Sequence, residues 1–325
     1  MKSKILKILR ETEGYVSGQD LCVQLGVSRT AVWKAIKQLK EQGYLIEAVQ
    51  NKGYHMVESP DVLSTGEIES RLQTGWLGHP VRYTKEVDST NNWAKKEAEA
   101  GSAQGLVTVT DRQTQGKGRR GRQWKTEEGS NIMMSLLLRP AFLPEKASML
   151  TIVMGLSVAQ AIREVTELPV QIKWPNDVIV SGKKLCGILT EMSTQMTCID
   201  YVVIGVGINV NQTEFPEELQ DATSLVIESG HPFKRAPLIA SVLACFEKNY
   251  EIFCKTEDLT GLLEEYNRLL INKDRTVRVL EPQNEYTAVS HGINAHGELL
   301  VEREDGRKEA IFAGEVSVRG VYGYT

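Results

Sequence analysis

Apolar residues recur every three to four positions through the first sixty residues and at every second position in several later runs, so the period itself divides the chain. In "VSGQDLCVQLGVSRTAVWKAIKQLKEQGYL", Ser17 stands as an N-cap with Asp20 three residues on, and Leu21 and Leu25 share a face. Gly26 suits a left-handed helix end, and Ser28 can cap the helix that follows. That second helix turns Ala31, Val32, Ala35, Ile36 and Leu39 inward and Arg29, Thr30, Lys34, Lys37 and Lys40 largely outward. "YLIEAVQNKGYHMV" then alternates as two short strands around Asn51, Lys52 and Gly53. The order is helix, turn, helix, wing. Trp33 fits either a core or a wedge and receives no role.

Further along, "GLVTVT" predicts a strand ending near Thr110. In "VQIKWPNDVIVSGKKLCGILTEM", Val170, Ile172 and Trp174 alternate with Gln171 and Lys173, and Pro175 keeps Trp174 extended. Ser181-Gly182 then reads as a two-residue hairpin turn. That register sets Lys184 opposite Ile179 and diagonal to Asp177, roughly 7–8 Å apart between backbones and within reach of a Lys side chain. On its own the pair reads as a surface ion pair worth about 0–1 kcal/mol. Gly205 and Gly207 interrupt the strand "YVVIGVGINV", which signals either a bulge or the close approach of a ligand. "APLIASVLACFEKNYEIF" and "LTGLLEEYNRLL" read as core helices, and the short alternating runs after residue 272 as a small barrel. The expected fold is therefore α/β and multidomain: a winged helix-turn-helix over 1–65, a mixed α/β domain over 66–272 and a β-barrel over 273–325.

Charge sharpens the division. Residues 1–60 hold nine Lys or Arg against six acids, a net +3, on a chain of net −4, so the other 265 residues carry −7. A cationic head suits nucleic acid: Arg29 and Thr30 lie where a recognition helix meets base edges, Lys34 and Lys37 suit phosphates, and Ser28 and the wing's Lys52 are further DNA-binding candidates. A charge this small predicts weak binding by one head, hence a homodimer on paired half-sites of operator DNA. The rest of the composition, 41% hydrophobic and 25% charged, is that of an ordinary globular protein. No 18-residue apolar run and no leader-like progression stands out, which predicts a cytoplasmic protein with no membrane contact. The five cysteines are scattered without a C-x-x-C pair, so buried, reduced thiols are expected, and the five histidines show no metal-ligand spacing. Nor does any spacing suggest a Ser or Cys catalytic triad.

Residues 116–124 read "GKGRRGRQW". Gly116, Gly118 and Gly121 match G-x-G-x-x-G, but a dinucleotide fold needs that pattern directly after a strand and opening a helix, and neither flank complies. A single-strand nucleic-acid surface would spread over a groove rather than one loop. A mobile loop whose backbone amides and cationic side chains close over a compact anion fits best.

With "DSTN" (88–91), "RQTQ" (112–115), "KWPND" (173–177), "GKKLCGIL" (182–189) and "GVGINV" (205–210), this loop resembles the catalytic domain of biotin–protein ligases. Head and tail included, the chain resembles end to end the bacterial family of bifunctional biotin–protein ligases and biotin operon repressors. One position departs from the family pattern: Lys117 stands where an Arg is usual, which keeps charge but loses a bidentate fork. The resemblance implies an SH3-like C-terminal barrel and two half-reactions. Biotin and MgATP give biotinyl-5′-adenylate and pyrophosphate, and the biotinyl group then passes to a lysine of a biotin carrier domain, such as that of acetyl-CoA carboxylase. It also implies repression of biotin genes that depends on the adenylate. By the same resemblance Lys184, Asp177 and Arg119 are catalytic; Ser89, Thr90, Gln113, Gly116, Lys117, Arg119, Lys184, Gly187 and Gly205 hold biotin; and Arg119, Arg120, Arg122, Trp124, Asn176, Lys184 and Arg319, with Glu315, face the nucleotide. Ser89 and Thr90 also suit a plain helix cap. Mg²⁺ is expected only with ATP. A lipoate–protein ligase and a ligand-sensing repressor without catalysis are the rival readings.

Overall fold

The computed structural model describes residues 1–325 except 125, 196–197, 281–284, 313–316, 321–323 and 325, and only the backbone of 317–320. The head comprises α1 (Lys2–Glu11), α2 (Gly18–Leu25), α3 (Arg29–Glu41) and a hairpin of β1 (Leu45–Val49) and β2 (Gly53–Glu58). Its local signals work as the sequence suggests. Ser17 and Ser28 accept hydrogen bonds from the amides of Asp20 and Ala31, and Gly26 ends α2 at φ 64°. Val32, Ala35, Ile36 and Leu39 of α3 close over Leu6, Leu9 and Leu21 in a core separate from that of the body. Gly53 has a specific reason to be glycine: its φ is 110°, and a Cβ there would collide with the Val16 carbonyl.

The body is built on a seven-stranded mixed sheet in the order β3-β4-β5-β9-β8-β7-β6. The strands are β3 (Val81–Val87), β4 (Val107–Gln113), β5 (Ile132–Leu138), β6 (Gln171–Lys173), β7 (Asp177–Val180), β8 (Lys183–Gln195) and β9 (Cys198–Ile208). Only β3 and β4 run parallel, and α5 (Thr90–Glu99) crosses between them on one face. The other face carries α6 (Met149–Thr166) and α8 (Arg235–Thr256), while α4 (Thr65–Glu69) follows the head, α7 (Leu225–Ser229) precedes α8 and α9 (Leu263–Leu269) follows it. Strand β4 runs three residues past the expected end at Thr110 because Glu86 and Val87 of β3 still pair with Arg112 and Gln113.

By length and composition alone Pro144–Thr166 is long and apolar enough to cross a membrane, a test that a buried core helix also passes. Its apolar window is 67% buried inside the protein, between the sheet and α8, as a helix apolar on every side must be. The tail forms a second, antiparallel sheet in the order β13-β12-β11-β10-β14, from β10 (Arg275–Leu280), β11 (Glu285–Ile293), β12 (Leu299–Arg303), β13 (Lys308–Ile311) and β14 (Ser317–Gly320). Its apolar face joins the body's core, and the turn at Gly297 accepts a hydrogen bond from Trp174 Nε1 at 3.0 Å. Of the cysteines expected to be buried only Cys186 is; Cys22 and Cys245 are half-buried, and Cys198 and Cys254 are exposed, since they lie at a strand start and on the outer side of α8.

Candidate functional site

The hairpin β7–β8 turns at Ser181 and Gly182, both with positive φ, and pairs Ile179 with Lys184 as the spacing predicts. A bulge then leaves Leu185 unpaired and sets Asp177 opposite Gly187. Lys184 and Gly187 thereby flank Asp177, and Lys184 Nζ lies 2.6 Å from its Oδ1. This is no surface pair, for Asp177 is 8% exposed. Burial is the largest single influence and pushes its carboxyl up, but the Lys184 and Lys173 ammonium groups and the hydrogen bonds from Lys184 and Tyr324 together outweigh it, so the carboxyl stays below its ordinary range. The Tyr324 hydroxyl donates to Asp177 Oδ2 while Lys173 Nζ sits 3.6 Å from the Tyr324 ring centre. Asn176, in the turn between β6 and β7, accepts from Arg119 at 2.8 Å and donates to the Ile188 carbonyl at 3.1 Å.

The "GKGRRGRQW" segment is a small closed hairpin. Trp124 N donates to Gly116 O at 2.9 Å, Lys117 bridges Gln123, and Gly118 N donates to Arg122 O at 2.7 Å. Arg119–Gly121 form a single 3₁₀ turn at the tip, with Arg120 at φ 57° and Gly121 at φ 72°. These glycines serve the hairpin itself: a Cβ on Gly116 would meet the Trp124 carbonyl. The loop folds as a small lobe that turns Arg119 inward and leaves Arg120 and Arg122 exposed. Lys117 borders the smaller cavity described below and donates to Asn92 Oδ1 at 2.7 Å.

The paired glycines have occupants too. Strand β9 runs unbroken through Gly205 and Gly207, so there is no bulge there. Gly205 makes room for the buried Asn91 carboxamide, and a Cβ on Gly207 would lie 2.6 Å from the Trp124 indole. Gly187 would meet the same indole at 3.0 Å and Lys184 Nζ at 3.1 Å. Trp124 is therefore a wall against the sheet, half-buried, with its Nε1 lacking a hydrogen-bond partner among the described residues. Beyond it, Gln113 Oε1 accepts from the Thr90 amide at 2.8 Å and hydroxyl at 3.1 Å, and Ser135 donates to Thr90 Oγ1 and Asn91 Oδ1 at 2.7 and 2.6 Å. Ser89 takes the N-cap position of α5 without a side-chain cap bond, leaving its hydroxyl to the cavity.

Two adjoining cavities result. One, of about 50 Å³, is bounded by neutral donors and acceptors on Ser89, Thr90, Asn91 and Gln113 and by Gly187, Gly205 and Gly207. The other, of about 280 Å³, is lined by Arg120, Arg122 and Lys173, by the acids Asp177, Glu218 and Asp221, and by Phe215 and Tyr324. Gly118, Arg119, Trp124, Asn176 and Lys184 belong to both.

Three family models match the chain in succession: an HTH domain over residues 2–55, the biotin/lipoate A/B protein ligase family over 83–209, and the biotin protein ligase C terminal domain over 274–319. The chain is 39% identical over 309 residues to the bifunctional ligase/repressor BirA of Bacillus subtilis, covering 94% of each. It is 30% identical over 320 residues to that of Escherichia coli, covering 97% of this chain and 96% of the other. This chain belongs to the bifunctional ligase/repressor family of biotin–protein ligases. Among solved structures, biotin protein ligase from Aquifex aeolicus in complex with biotin and ATP matches with a TM-score of 0.65 at 34% identity, over 74% of this chain and 98% of that one.

In this ligase/repressor the DNA-facing candidates divide by what they already do. Thr30, Lys34, Lys37 and Lys52 are exposed, whereas the Ser28 hydroxyl caps α3 and the Arg29 guanidinium donates to Gln19 Oε1 at 3.0 and 3.3 Å, bracing α3 against α2. Trp33 is 55% exposed, so it is not core, and Lys37 Nζ lies 5.6 Å from its ring centre. Glu315 lies outside the described residues, and of Arg319 only the backbone pairing with Arg278 is described. Sequence reasoning missed Asn91, Ser135, Lys173 and Tyr324 as site residues. Asn91 was within reach, being the last residue of "DSTN"; nothing local marks Tyr324, which is 147 residues from Asp177.

Proposed function

We propose that the shared wall of the two cavities is where a biotin carboxylate meets the α-phosphate of MgATP. The neutral cavity offers Ser89, Thr90, Asn91 and Gln113 to the ureido ring, an uncharged group best held by hydroxyls and amides. Its carboxylate then reaches Lys184 and Arg119, and the triphosphate lies along Arg120, Arg122 and Lys173. A carboxylate oxygen attacks the α-phosphorus, the bond to the β-phosphate oxygen breaks, and pyrophosphate leaves. Lys184 and Arg119 sit where negative charge grows on the α-phosphate oxygens, and Asn176 and Asp177 hold those two cations in place. In the second half-reaction a carrier lysine amine attacks the acyl carbon, AMP departs with the bonding electrons, and the amine loses a proton. A groove of about 500 Å³ that runs past Thr151, Thr190, Met192 and Phe312 to Arg119 and Asn176 gives that lysine a path.

The observation that carries this reading is Lys184 and Arg119 on the wall common to both cavities. A free volume of about 50 Å³ is well below the roughly 300 Å³ at which small-molecule sites begin, so the 116–124 hairpin opens to admit biotin and closes over the adenylate. The closed, adenylate-bound body then favours a homodimer that binds operator DNA in the cytoplasm, with Arg29, Thr30 and the lysines of α3 at the DNA and domain boundaries near residues 65 and 272. The deciding experiment is mass spectrometry of a biotin carrier domain incubated with the protein, MgATP and either biotin or lipoate. Biotin on one carrier lysine supports the reading; lipoate transfer, or operator binding with no transfer, turns it to one of the rivals.

A further inference from the structure

Head and body meet through a carboxylate that neither half-reaction uses. Ser64 caps α4 by accepting from the Glu67 amide at 3.0 Å, and the Ser-x-x-Glu spacing would ordinarily fold the Glu67 side chain back onto the cap. Instead it points into the seam, 1% exposed. From the head, Arg10 of α1 donates to Glu67 Oε2 at 2.5 Å and Tyr44 OH to the same oxygen at 2.6 Å. From the body, Arg71 donates to Oε1 at 2.8 Å and passes its other end to Ser59 in the connecting segment at 3.0 Å. Arg10 also donates to Ser70. Tyr44 belongs to the head's own core, and burial, more than Glu67, pushes its hydroxyl's pKa up, so it stays a donor.

The connector is held at a second point. Arg235, 3% exposed, donates from its backbone and its Nε to Asp61 at 2.8 and 3.0 Å, and from NH1 to Asp111 of β4 at 2.7 Å. A buried carboxylate between two guanidinium groups is a poor source of stability, because desolvation offsets most of the attraction. It is a good way to fix an angle, because every bond has one geometry.

We infer that Glu67 is a positioning residue for operator recognition, clamping the head at a fixed angle to the body so that a dimer holds its two recognition helices at one separation. The inference rests on the dimeric, operator-binding reading above. Paired half-sites are read by helices spaced along the duplex, so a rigid mounting selects one spacing and a loose one tolerates several. Ligation is indifferent to the latch, since Glu67 borders neither cavity.

The test uses the full chain with biotin and MgATP and a series of operators whose half-site separation changes in single base pairs. Wild type should show one sharp optimum. Glu67→Gln, which keeps the shape and removes the charge, should lose at least about tenfold affinity at that optimum and much less on either side, flattening the profile. Tyr44→Phe, which removes one bond from a packed ring, should flatten it partway, and biotin-dependent pyrophosphate release should be unchanged in both. A sharp profile retained in Glu67→Gln, or a parallel loss at every spacing as a merely destabilised head would give, overturns the latch. Wild type with no adenylate-dependent binding to any paired site overturns the dimeric reading and the latch with it.

Discussion

Lys184 and Asp177 meet at 2.6 Å because Lys184 pairs with Ile179, two residues along the same face from Asp177, while the β-bulge at Leu185 brings Gly187 rather than Cys186 opposite Asp177. Gly187 adds no side chain of its own, and the ammonium and the Trp124 ring fill the space a Cβ would take. One hairpin thus delivers a buried cation held by a carboxylate to the junction of two cavities.

The pair sets a pH expectation. Asp177 is held below its ordinary value, so the stability it contributes is fully present above the unfolded-state pKa of about 3.9 and is lost as pH falls through the lower folded value. The Tm gap between wild type and Asp177→Asn should therefore be flat from about pH 5 to 8 and shrink only in the acid region below about pH 4. Thermal unfolding across that range checks it, and a gap closing near neutrality would contradict the assignment.

Trp124 and Gly207 form a matched contact, so Gly207→Ala should displace the indole and cost about 1–3 kcal/mol of stability. Biotin KM should rise along with that loss. If the hairpin opens to admit ligand, indole fluorescence should also change on adding biotin to a variant whose other four tryptophans, Trp33, Trp76, Trp93 and Trp174, are replaced by Phe.

Gln113 holds Thr90 by two hydrogen bonds. Gln113→Ala leaves a buried hydroxyl and amide short of a partner, at about 1–3 kcal/mol, which predicts a rise in biotin KM of about tenfold or more with kcat for adenylation changed far less. Steady-state kinetics with biotin as the varied substrate measures this split.

Lys37 is exposed on α3, 4.0 Å from Glu41 and 5.6 Å from the Trp33 ring centre. If it contacts a phosphate, Lys37→Ala should weaken operator and random DNA alike and lower the slope of log K against log salt by about one. Titrations at several salt concentrations read it; loss confined to the operator would place Lys37 at a base edge instead.

The legible parts of the fold were those fixed by local chemistry. Ser17, Gly26 and Ser28 punctuate the head because caps and left-handed turns depend on single residues, and Ser181-Gly182 set the β7–β8 register for the same reason. The glycines were legible as a pocket wall, but not their side-chain neighbours: Gly205 and Gly207 also answer to Asn91 and Trp124, whose positions depend on a hairpin closing across the sheet. The latch and Tyr324 were invisible, since Arg10, Glu67 and Asp177 gain their partners only when separate units dock. The chemistry of "KWPND" and "GKKLCGIL" came through their resemblance to a family, not through periodicity, which on its own left Asp177 and Lys184 as a surface pair.

The central claim is that the shared wall joins biotin to AMP, and the most direct measurement is pyrophosphate released from MgATP with and without biotin. Wild type should release it only with biotin, Lys184→Ala should release almost none, and Arg119→Gly should release it while letting adenylate escape into solution before a carrier is added. Wild type without biotin-dependent release, or Lys184→Ala with undiminished release, would contradict the account.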